Sequence, residues 1–227
     1  MKIFDKIWRK WIKLRLQPIR VFCLHHVCST LDAEWMNAFD WMQIDEFKSK
    51  VIAMQQDGVE FISLTNAYKH ISDDWVRCKK YAVLTFDDGY ASLREILPWL
   101  EEQQISATLF INGKYLDGKS YRKNPQEQYL TRDELSALTS PMIEIGSHGW
   151  VHTDATQMTD SDFSEYINKN VRLLSTQQCY VPFHAYTWGK HTSTCDEILA
   201  NREIIPVLVD GMKNYNDKQY VHRELMD

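Results

Sequence analysis

Apolar residues recur along this chain in two alternating patterns. One is the short unbroken run, as in Tyr81-Ala82-Val83-Leu84-Thr85-Phe86, apolar, β-branched and aromatic, the signature of a strand buried on both faces. The other is helical spacing, as in Phe163, Ile167, Val171 and Leu174, preceded by Thr159 in the position of an N-cap. Thr131-x-x-Glu134 is a capping-box signature that opens another helix. Together the patterns predict strands near 20–27, 59–64, 81–86, 106–111, 142–146, 180–187 and 204–209. Helices are predicted near 44–56, 90–103, 131–139, 159–176 and 193–201. Alternating strands and helices imply parallel pairing through crossovers, hence an α/β barrel or an open α/β sheet. Residues 112–130, a polar stretch that carries Tyr115, Tyr121 and Tyr129, read as a solvated surface loop, with a lid over a pocket as the less favoured reading.

The chemistry lies at two of the strand ends. Asp87-Asp88-Gly89 follows the 81–86 run, and because successive residues leaving a strand face opposite ways, the two acids should not share one task. Gly89 permits the sharp turn into the next helix. Met142 to Gly146 is a second strand that runs into His148 and His152, four residues apart and therefore on one side of a helical turn. Two imidazoles and one carboxylate make a three-ligand metal site with open positions, and one acid is left over to take a proton. Alone, either motif is ordinarily a turn or a pair of surface histidines. Their joint placement at strand ends is what points to chemistry.

Thr-Phe-Asp-Asp-Gly with Ser-His-x-x-x-His resembles the polysaccharide deacetylase superfamily, the nodulation-protein-B-like group also called carbohydrate esterase family 4. The resemblance implies an irregular (β/α) barrel with its site at the strand C-termini. It implies Asp88, His148 and His152 as metal ligands and Asp87 as general base. Residues 45–64 and Val21 to Val27 resemble the circularly shifted poly-N-acetylglucosamine deacetylase branch, in which the histidine acid comes from the first strand. His25 matches that position, with His26 in reserve. Pro182 to Lys190 resembles the branch's Phe-Ala-Tyr-Pro-Tyr-Gly segment, with His184, Thr187 and Trp188 as departures. There the resemblance implies an oxyanion donor in the Trp188 backbone N–H, and a pocket position for Tyr186. The wider family's base-orienting arginine is absent, since Ala185 stands in its place, and Arg223 is the candidate to supply that contact.

The activity so implied is a metal-dependent de-N-acetylase acting on an N-acetylated amino sugar in a glycan, a glycolipid precursor or a nucleotide sugar. Zinc is the expected divalent metal, with cobalt, nickel or iron also suited to such ligands. An O-deacetylase, or a sugar-binding relative without turnover, are the alternatives. A glycosidase is disfavoured because adjacent carboxylates cannot stand about 5 Å or more apart across a glycosidic bond.

At 227 residues with 44% hydrophobic content and no dividing linker, residues 21–227 are expected to form a single domain. Residues 1–20 differ in charge. They carry seven basic residues against Asp5 alone, a net +6, which leaves −11 for the remainder of a chain whose formal charge is −5. With Ile3, Phe4, Ile7, Trp8, Trp11 and Ile12 at helical spacing, they read as a basic amphipathic helix suited to peripheral contact with an anionic membrane or to packing on the barrel. An acidic body disfavours nucleic acid. Five cysteines without paired spacing, and no uninterrupted apolar leader, suggest a reducing, cytoplasmic setting, with contact at the inner membrane face.

Overall fold

The computed structural model describes residues 17–30, 41–72, 79–117, 128–215 and 217–226. In chain order the elements are β1 (Arg20–Leu24), β2 (His26–Cys28), β3 (Trp41–Gln43), α1 (Ile44–Gln56), β4 (Val59–Phe61), α2 (Leu64–Ser72), β5 (Lys80–Phe86) and α3 (Leu93–Glu102). They continue with β6 (Ala107–Ile111), α4 (Arg132–Ala137), β7 (Ile143–Ser147), α5 (Asp160–Leu174), β8 (Tyr180–Ala185), α6 (Ser193–Ala200), β9 (Ile205–Val209) and β10 (Val221–Leu225). Strands β5 through β10 follow one another around a parallel ring, and β1 closes it by pairing with both β10 and β5. The first barrel strand in the chain thus lies between the last one and β5. β4 pairs with the first residues of β5 beside the ring.

Alternation along each strand divides the barrel into two packing surfaces. Phe22, Leu24, Leu84, Phe86, Leu109, Ile111, Ile143 and Ile145 pack with Phe47 and Val51 of α1 and with Leu93, Ile96 and Leu100 of α3. The intervening residues Val21, Val83, Phe110, Phe183, Ala185, Val207 and Val221 fill the interior with Leu64, Ala67 and Ile71 of α2. α2 therefore plugs the end of the barrel where the strands begin. Its N-terminus is held by the buried Glu144 carboxylate of β7, which accepts from the Leu64 N–H at 3.0 Å and the Thr65 N–H at 3.3 Å, and from the Thr108 hydroxyl at 3.0 Å. Gly146 completes the filling. A Cβ there would lie 2.6 Å from the Phe110 ring.

Several expectations need correction. The strand near 20–27 breaks at His25 into β1 and β2, and the expected helix over 90–103 begins only at Leu93. The run expected as strand over 59–64 ends at Phe61. Residues 1–16 of the basic segment lie outside the described residues. Its end is not helical, since Ile19 bridges Asn214 and Arg20 opens β1, so the body of the fold begins before residue 21. Tyr115 and Tyr129 are buried, packed on one another and on Tyr90, because they close the strand-end face beside the histidines; Tyr121 lies outside the described residues. Among the described residues no helix is long and apolar enough to cross a membrane, and none of the four described cysteines is in a disulfide.

Candidate active site

The two acids leave β5 in different conformations. The Asp87 N–H still donates to the Leu24 carbonyl at 2.9 Å, as in a strand. Asp88 turns into the left-handed region at φ 69° and Gly89 follows at φ 77°. Asp is among the residues that tolerate this conformation, and it turns the second carboxylate away from the first. Asp88 Oδ1 comes within 3.6 Å of His148 Nε2 and 3.7 Å of His152 Nε2. Ligands at about 2.0–2.1 Å from a tetrahedral ion stand roughly 3.3–3.4 Å apart, so the donor set fits a single divalent cation. His148 Nδ1 lies 2.8 Å from the Ala185 carbonyl, which can only accept. Nδ1 therefore carries the proton, and the Nε2 lone pair faces Asp88 as metal ligation requires.

Asp87 is held quite differently. Arg223 Nη1 donates to its Oδ1 at 2.6 Å and Nη2 to its Oδ2 at 2.8 Å, a two-pronged pair between fully buried groups. Nη1 also reaches the Thr85 hydroxyl at 3.0 Å, and the guanidinium lies 5.2 Å from the Phe110 ring centroid. Burial pushes the Asp87 carboxyl up, but the Arg223 charge and its hydrogen bonds outweigh it and hold it well below the usual carboxylate range. The Cys23 thiol donates to Asp87 Oδ2 at 3.6 Å, and His25 offers a ring nitrogen within 4.8 Å of the Cys23 sulfur and an Asp87 oxygen. With both Asp87 oxygens on the guanidinium, Cys23, His25 and Asp87 are poorly suited to a second cation. His26 points elsewhere, its Nδ1 3.1 Å from the Ser92 hydroxyl and its ring stacked on Tyr90 at 3.8 Å.

The segment carrying the histidines is fixed from behind. Asn112 Nδ2 donates to the His148 carbonyl at 2.7 Å, Asn170 Nδ2 donates to the Ser147 hydroxyl at 2.9 Å, and the Tyr115 hydroxyl accepts from the His152 N–H at 3.1 Å. Gly149 is at φ 84°, and a Cβ there would fall 1.7 Å from the Tyr166 hydroxyl oxygen. Trp188, also left-handed at φ 55°, stands at the mouth with its ring edge-to-face on His152 at 4.7 Å. A bulky side chain in that region costs on the order of 1–3 kcal/mol.

Tyr186 is corrected. It has the parity of His184, so it faces away from the barrel interior into the layer with α5 and α6, and its hydroxyl donates to Asp196 at 3.0 Å. It is a core residue, packed on Phe163, His184 and His191. His184 shares that layer, where burial pushes its pKa down to about 3 and keeps it neutral.

Comparison with known proteins agrees with this geometry. The model of the polysaccharide deacetylase family matches residues 76–204, more than half of the chain. The chain belongs to that family. YxkH of Bacillus subtilis (strain 168), whose name assigns it to the polysaccharide deacetylases, is 24% identical over 115 residues; the match covers 50% of this chain and 38% of YxkH. Among solved structures, IcaB from Ammonifex degensii has a TM-score of 0.77 at 21% identity and covers 94% of both chains. The Streptococcus pyogenes deacetylase PplD, in complex with acetate, has a TM-score of 0.79 at 20% identity over 92% of each chain. A de-N-acetylase from Aggregatibacter actinomycetemcomitans has a TM-score of 0.78 at 16% identity over 93% of this chain. At these identities the likeness is one of fold, the deacetylase (β/α) barrel.

In this deacetylase barrel Asp87, Asp88, His148, His152, His25, Arg223 and Trp188 meet at one strand-end face, and Tyr186 does not. Asn112, Asn170 and Tyr115 were missed by sequence reasoning. A hint lay in Asn112, a lone amide directly after a buried strand, but nothing local marks its partner.

Proposed function

We propose that the chain is a metal-dependent hydrolase that removes the acetyl group from an N-acetylated amino sugar. The observation that carries this reading is the state of Asp87. It lies 4.0 Å from His148 Nε2, next to the metal donors, yet both its oxygens are held by Arg223, so it stays ionised and free to accept a proton instead of serving as a further ligand.

A divalent ion at Asp88, His148 and His152, with zinc first and cobalt, nickel or iron as alternatives, would supply Lewis-acid polarisation of the acetyl carbonyl and a more acidic water. Asp87 then accepts the water's proton as the oxygen attacks the carbonyl carbon. The Trp188 N–H donates to the oxyanion, a task that survives the change of side chain because it belongs to the backbone. His25 donates a proton to the amine nitrogen as the C–N bond breaks, and acetate and the free amino sugar leave.

Acetate release from N-acetylated oligosaccharides and sugar nucleotides, run beside O-acetylated sugars with zinc or cobalt supplied, tests the reading. It requires release from an N-acetyl substrate and its loss in Asp87→Asn and Asp88→Ala proteins. Release that survives in the Asp87→Asn protein overturns it.

A further inference from the structure

One buried group at this strand-end face has no task in the reaction above. Cys23 of β1 shares the inward parity of Val21 and lends its thiol to Asp87 Oδ2 at 3.6 Å. A thiol is a weak donor, and a hydroxyl would hold a carboxylate better, so the hydrogen bond does not account for sulfur at this position. What sulfur does better than oxygen is bind soft cations. A second ligand stands close by. His25 follows two residues later, at the break between β1 and β2, partly open to solvent, with a ring nitrogen within 4.8 Å of the Cys23 sulfur. Sulfur and imidazole ligands at about 2.3 and 2.0–2.1 Å stand at most about 4.4 Å apart when they face each other across an ion, so this pair closes on one with no more than a side-chain rotation.

The charge around the pair selects the ion. Arg223 Nη2 shares Asp87 Oδ2 with the thiol, at 2.8 Å, and the guanidinium takes both Asp87 oxygens. A hard dication would need that carboxylate and would meet the guanidinium charge with a thiolate as its sole anionic ligand. A soft monovalent ion on a thiolate is neutral and needs only the sulfur and the imidazole. Copper(I) meets both conditions. We propose that Cys23 and His25 form a copper(I) site, separate from the Asp88, His148 and His152 donors, whose filling shuts off the hydrolase. Binding releases the Cys23 proton to solvent and leaves the oxidation state of the copper unchanged. It ties up the His25 imidazole, which would otherwise protonate the amine, and sets an ion beside Asp87 where the water's proton should go. The site itself stands on the geometry of the two ligands; its effect on turnover rests on the hydrolase reading above.

Anaerobic titration of the zinc-loaded full chain with copper(I), read by competition with bicinchoninate and with zinc content measured alongside, tests the site. The parent should retain one copper(I) per chain together with its zinc. Cys23→Ser and His25→Gln should each weaken copper retention by more than about 100-fold, since loss of a ligand should exceed the roughly 10–100-fold that loss of a ligand's support costs. Both should keep zinc, which shows that they fold, and Cys179→Ser should bind copper as the parent does. Acetate release from an N-acetylglucosamine oligosaccharide should fall in step with the first equivalent of copper and return when excess chelator removes it. The release that remains in Cys23→Ser should not respond. No copper retained by the parent, equal retention in Cys23→Ser, or copper gained only as zinc is lost overturns the site. Copper bound through Cys23 with undiminished acetate release overturns the shut-off. If the parent releases no acetate before copper is added yet binds copper through Cys23, the hydrolase reading fails and the site stands.

Discussion

Arg223 of β10 points into the barrel interior and, past the intervening β1, grips Asp87 at the end of β5 through both terminal nitrogens, at 2.6 and 2.8 Å. Ala185, at the position where the wider family is expected to carry its arginine, also faces the interior but contributes only its carbonyl, to His148. In this chain the guanidinium on Asp87 therefore comes from β10 and not from that position.

Neither group of that pair can lose its partner cheaply, because both are buried. Replacing Arg223 by Met should lower the unfolding free energy by about 3–5 kcal/mol in urea titrations. Adding Asp87→Asn to it should recover part of the loss, and strictly additive losses would show that the two are not coupled. Arg223→Lys, which keeps the charge and loses the fork, should lower kcat roughly 10- to 100-fold.

The depressed pKa of Asp87 has a definite sign. Its folded value lies below the unfolded value of about 3.9, so the stability it contributes is complete above that value and is lost as pH falls through the folded one. The stability gap between the parent protein and Asp87→Asn should therefore be flat from neutrality to about pH 5 and narrow only in stronger acid. The acid limb of the rate profile should likewise belong to another group. An acid limb above pH 5 that moves on replacing Arg223 by Lys would contradict this assignment.

His25 and His26 are adjacent and face different partners, which makes them a paired test. His25→Gln should reduce acetate release by about 10²–10⁴-fold, the usual contribution of a general acid. His26→Gln should act on stability instead, through its Ser92 contact and its stack on Tyr90. Similar rate losses in both would remove His25 from the acid role.

What the sequence made legible was local. The β5 run with Asp87-Asp88-Gly89, the approach to His148 and His152, and the caps at Thr131 and Thr159 each lie within a few residues, and each is present. What was missed depends on distant partners. β10 is missing from the predicted elements because His222-Arg223-Glu224 reads as a polar tail; Arg223 itself is a candidate there, but the acceptor that makes it a buried strand residue lies 136 positions earlier in the chain. α2 is a polar nine-residue helix whose N-terminus is satisfied by Glu144, eighty positions away. Tyr186 was misplaced for a related reason, since its motif neighbours face the site but its own parity turns it into the layer with α5 and α6.

The account depends most on a single cation shared by Asp88, His148 and His152 with Asp87 standing apart. Zinc titration calorimetry of the metal-stripped protein, compared with its Asp87→Asn and Asp88→Asn variants, measures this directly. One site per chain should be found in the parent and retained in Asp87→Asn while activity is lost, and it should be abolished or weakened at least about 100-fold in Asp88→Asn. Equal affinity in all three, or loss of the site in Asp87→Asn alone, would contradict the account.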